Sequence, residues 1–303
     1  MQAAPPPFVF DIAHADVILR SSDGKNFPMY KVDLARSSPI FESMFSLPQP
    51  EDNAQDELEN GLPVVELTET ANVLNVLLRF YMPRPTPVLA DLAMTVRVLE
   101  GARKYEIDSA FSASCKALEK AVDSEPIRVY AIACHYGLEP LARKAALACL
   151  RLPLSRLIGV STEEIECISG EEFRRLIKYR EDCRDVVASL KCLAPPDRGV
   201  QYTPYVPAGR HNLWQCYCAP ANRDGCRHVT PPKWWDDYRQ DLARKLGDCT
   251  WEGEVRAQDA MDAFLASGAC QACCKVASTQ LAGAAAYIVS EISRGISQVR
   301  MTS

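Results

Sequence analysis

The sequence predicts an α+β N-terminal unit followed by an all-helical region, and three observations carry that assignment. Near the start, the period of the apolar residues changes from two to about 3.6 at Tyr30-Lys31. A further short apolar run, Pro63 to Leu67, is bounded by turn residues and reads as another strand. Beyond position 70, the apolar pattern is helical apart from a proline-rich stretch at 194–210.

The first segment, Ala15 to Lys31, reads as strand, turn, strand, with Asp23-Gly24 suited to a two-residue hairpin because both positions tolerate positive φ. Val32 to Phe45 follows with helical spacing and should form two short helices. Ser38 fits as a cap and Pro39 as the first helical residue of the second. Gln49 to Gly61 carries Glu51, Asp52, Asp56, Glu57 and Glu59 without a base and is expected to be a solvated loop. Asn72 to Tyr81 places Val73, Leu74, Leu77, Leu78 and Tyr81 on one helical face, ended by Pro83, Pro85 and Pro87. Helices at about Asp91 to Tyr105 and Ala110 to Val122 complete this unit, 1–122.

A second unit, 123–193, opens with Pro126 to Ala142, where helix, Gly137 stop and new helix spell an αα-hairpin. Ser161 to Glu164 and Ser169 to Glu172 have the Ser-x-x-Glu spacing of a capping box. A stretch rich in proline, 194–210, reads as a linker or irregular loop. In the last part, 211–303, lie all four tryptophans, Trp214, Trp234, Trp235 and Trp251. Trp234, Tyr238, Leu242 and Leu246 recur at four-residue steps, and Leu281, Ala285, Ile288, Ile292, Ile296 and Val299 form a second stripe. Both are expected to be core faces.

The markers Asp16, Phe27, Lys31, Leu34, Ser38 and Phe41 resemble those of the BTB/POZ domain, with Tyr30 where that family usually has His. The strand at Pro63 to Leu67, the helix at Asn72 to Tyr81 and the segment Val98 to Ile107 extend the likeness over about the first 120 residues, in order. The resemblance implies a small mixed sheet with helices, and a charged pocket at a homodimer interface lined by Asp16 and Lys31. Residues 123–193 resemble the BACK-like helices that follow such domains. With Cys216-Tyr217-Cys218, Pro232 to Tyr238 and Cys270 to Cys273, the whole resembles the fungal type of BTB protein with a Trp/Cys-containing tail.

Two functions compete on this basis. One is a protein-interaction scaffold that associates with itself. The other is a substrate adaptor for a cullin-type ubiquitin ligase. Cullin-binding members commonly carry a hydrophobic-x-Glu motif after the helix that ends here at Met44-Phe45, whereas this chain has Gln49 in Ser46 to Glu51.

Composition narrows the field further. The chain has 303 residues and a formal charge of −5, with no basic block, so nucleic acid is not the expected partner. Met1 to Phe10 lacks a signal-peptide pattern, and Leu281 to Val289 is too short to span a bilayer. A cytoplasmic or nuclear protein is expected, with its 13 cysteines reduced. Cys115, Cys134 and Cys149 lie on apolar helical faces. Cys270-x-x-Cys273 has the spacing of a zinc knuckle, and Cys216-x-Cys218 supplies a second pair, with Cys226 and His228 as substitutes. The same residues also read as reduced thiols in a Trp-rich core; any zinc on four cysteines would be structural. No phosphate-binding loop, dinucleotide fingerprint or nucleophile elbow is present. Among His14, His135, His211 and His228, only His135 adjoins a cysteine, and adjacent helical residues point about 100° apart. No enzymatic role is expected.

Overall fold

A computed structural model describes residues 14–47, 58–81, 87–89, 91–159, 166, 168–190, 192–193, 233–267 and 271–301. The chain divides into two compact units, Met1–Ser124 and Glu125–Ser303.

The first unit is built on a mixed sheet of order β2-β1-β4-β3. Strand β1 (Val17–Arg20) pairs antiparallel with β2 (Asn26–Met29) and parallel with β4 (Leu62–Glu66), with Leu19 opposite both Phe27 and Val65. Val17, Ile18 and Leu19 are all buried in succession, as a central strand covered on both faces requires. Between β1 and β4 the chain makes helices α1 (Lys31–Ser37) and α2 (Pro39–Ser46). The break between them falls at Ser38, whose hydroxyl caps α2 by accepting the Phe41 N–H at 3.2 Å.

Two local expectations are corrected here. The β1–β2 connection is longer than two residues: Ser21 to Lys25 turn the chain, with Gly24 N–H donating to the Ser21 carbonyl at 2.8 Å. Of the expected pair, only Gly24 (φ 78°) has positive φ. Asp23 has a different task, since its carboxylate accepts the Ala71 N–H at 2.8 Å and so holds the start of the next helix. Also, part of the expected acidic loop is a strand. Residues β3 (Leu58–Glu59) pair antiparallel with β4, and Asn60 (φ 54°) and Gly61 (φ 81°) form the two-residue turn between them. Glu59 is not a freely solvated acid, because Arg20 at 2.5 Å and Asn26 at 2.6 Å both donate to its Oε2.

Helix α3 (Ala71–Leu78) runs into a 3-10 turn, Arg79–Tyr81. Helix α4 (Leu92–Lys104) lies against it so closely that a Cβ on Gly101 would sit 2.5 Å from Leu77 Cδ1. Glu106, at φ 53°, stops α4, with the Ile107 N–H reaching back to the Ala102 carbonyl at 2.8 Å. Helix α5 (Asp108–Ala121) completes the unit. Leu34, Phe41, Leu74, Leu77 and Val98 share one core with the sheet residues Val17, Leu19 and Phe27.

The second unit is helical in all its described elements. Helices α6 (Pro126–His135) and α7 (Glu139–Cys149) form the expected hairpin, with Gly137 at φ 67°. A short α8 (Leu154–Ile158) precedes α9 (Gly170–Ala188), which carries the complete capping box of Ser169 and Glu172. The box expected at Ser161 lies outside the described residues. Helix α10 (Lys233–Asp248), a 3-10 turn (Glu252–Glu254), α11 (Ala257–Ala266) and α12 (Gln271–Gln298) follow. Helix α9 packs on both α10 and α12, so helices on either side of 194–232 belong to one unit. Both expected stripes are buried: Trp234, Tyr238, Leu242 and Leu246 on α10, and Leu281 to Ile296 on α12. Val299 falls just beyond the helix end.

Candidate functional site

Asp16 and Lys31 are 15 positions apart in sequence and meet at the surface of the first unit. The hairpin brings them together, since the Asp16 N–H donates to the Met29 carbonyl at 3.1 Å, two residues before Lys31. The Asp16 carboxylate accepts the backbone N–H of Lys31 at 2.7 Å. That amide is the first of α1 and has no partner within the helix, so an aspartate there satisfies an orphan donor and complements the positive helix end. The Lys31 ammonium reaches the other way, 5.8 Å from the centre of the Phe45 ring on α2. Val32, next in sequence, is 70% exposed, and Ile40 and Leu47 are also exposed.

A polar network joins the start of α2 and the end of α4 to the segment after β4. The Ser38 hydroxyl donates to the Tyr105 carbonyl at 2.5 Å, and the Tyr105 ring stacks on Phe41 with centroids 5.0 Å apart. The Tyr105 hydroxyl in turn donates to Glu69 at 2.5 Å, and Lys104 donates to the same carboxylate at 2.9 Å. Burial pushes Glu69 up, but the bonds from Tyr105 and Lys104 outweigh it and hold the carboxyl below its ordinary value. Burial and the Glu69 carboxylate together push the Tyr105 hydroxyl far up, so it remains a donor at any physiological pH. Only half of this network can be read from residue order: Ser38 announces itself as a cap, while Tyr105 and Glu69 give no local signal.

The second unit has its own buried polar centre, equally silent in the sequence. Arg180 on α9 is 6% exposed. Its guanidinium donates to the carbonyls of Leu152 at 2.6 Å, of Cys149 at 3.3 Å, and of Asp248. Cys149 and Asp248 are the last residues of α7 and α10, so one cation satisfies carbonyls at two helix C-termini. Burial pulls the Arg180 pKa down, yet an arginine stays charged at neutral pH. Nearby in the same unit, Tyr130 donates to the Glu172 carbonyl at 2.8 Å, and Arg175 pairs with Glu139 at 2.9 Å.

Most of the described cysteines are buried or half-buried, and Cys274 is exposed. Burial pushes the Cys149 thiol up to about 12 and those of Cys183 and Cys192 up to about 11. Cys115 and Cys134 are raised for the same reason. A thiolate is the nucleophilic form, so none of these is primed for attack at neutral pH. The His135 ring meets Tyr136 edge-on at 4.7 Å rather than turning to Cys134. Cys216, Cys218, Cys226, His228 and Cys270 lie outside the described residues, as does the side chain of Cys273. Among the described residues, no group of three or more metal-ligating side chains converges. No helix among them is long and apolar enough to cross a membrane.

Comparison with curated proteins gives no match. A scan against family models matches the BTB/POZ domain over residues 11–121. That span holds the mixed sheet, helices α1 to α5, and the Asp16 and Lys31 pair. Domains of this family are protein-interaction modules, and the N-terminal unit of this chain is a BTB/POZ domain.

Proposed function

We propose that this protein is a scaffold that associates with itself through its BTB/POZ domain. The observation that carries the reading is the Asp16 and Lys31 pair beside the exposed Val32. Charged groups that fix register next to an apolar surface that gains from burial are what a self-complementary interface needs. Light scattering at about 50 μM tests it. A mass twice the 33.6 kDa chain is expected. Asp16→Asn with Lys31→Gln should weaken the dimer, because charge complementarity is lost while shape is kept. A wild-type monomer at that concentration, or a double variant that dimerises equally well, would overturn the proposal.

The competing reading is a cullin adaptor, and Gln49 speaks against it by standing where a hydrophobic anchor is expected. Affinity purification from the native cell separates the two, since recovery of a cullin favours the adaptor. The self-association reading belongs with a cytoplasmic or nuclear site of action and with no catalytic role. It also leaves room for a structural zinc on Cys216, Cys218, Cys270 and Cys273. In that case elemental analysis of protein purified without chelator should find about one zinc per chain. Less than about a tenth of an equivalent would mark these cysteines as ordinary thiols.

A further inference from the structure

We draw no further inference here: the strongest candidate, the open cavity of about 430 Å³ in the second unit bounded by α7, the 3-10 turn at Glu252–Glu254 and the end of α12, carries nothing because nothing in the structure shows what covers its apolar floor.

Discussion

The two units solve the burial of polar groups in opposite ways. In the BTB/POZ unit, buried or half-buried polar side chains bond to one another or to backbone, as Ser38, Tyr105 and Glu69 do. The core around them is made by sheet and helices together. In the helical unit, every element ends in carbonyls without intrahelical partners, and the ends of α7 and α10 converge on a buried cation, Arg180. A sheet can satisfy its backbone along its length, whereas packed helices concentrate unmet need at their ends. One buried arginine is an economical answer, and it makes that unit sensitive to a single residue.

The comparison can be broken most forcefully from the BTB/POZ side. Leu34→Asp puts an unpaired carboxylate at a fully buried position, a cost of several kcal/mol, about the whole stability of a small unit. Limited proteolysis of the full chain should then show residues 1–124 degraded while 125–303 persists; loss of both together would mean that the units fold as one. The matching experiment on the helical side is Arg180→Met, which keeps much of the volume and strands three carbonyls. A loss of about 3 kcal/mol in denaturant unfolding is expected, centred on residues 125–303. A change below about 0.5 kcal/mol would show that water serves those carbonyls equally well.

A smaller effect sharpens the contrast by pH. Glu69 is held below its ordinary 4.5 in the folded state, so its contribution is fully present above that value and fades as pH falls through the folded pKa. Glu69→Gln should cost about 1–2 kcal/mol at neutral pH. The gap between variant and wild type should close below pH 4.5. A gap independent of pH would assign the loss to packing and not to charge.

How much of this was legible in the sequence differs between the units. In the first, the period switch, Ser38-Pro39 and the ordered markers placed α1 to α5, because each signal is local and acts within one turn of chain. The miss at Leu58–Glu59 has an equally local cause. Acidic composition argues for a loop, whereas the chain turns at Asn60-Gly61 into β4, a two-residue hairpin that the composition of the segment does not register. The Asp23-Gly24 turn erred in the other direction, since what fixes Asp23 is an amide 48 positions away.

The sequence by itself determined the switch from strands to helices in the first unit, the helix stop at Gly137, the helix start at Ser169, the buried stripes on α10 and α12, and the identity of the first domain. Each of these rests on periodicity or capping, which depend on neighbours a few residues apart. Only the tertiary structure decided that β1 pairs in parallel with β4, that Glu59 meets Arg20, that Arg180 caps two helices, and that three cations and Leu147 rim a cavity beside Trp251. Those partners lie 28 to 68 positions apart where hydrogen bonds join them to Arg180, and at such separations residue order carries no distance information until the chain has folded.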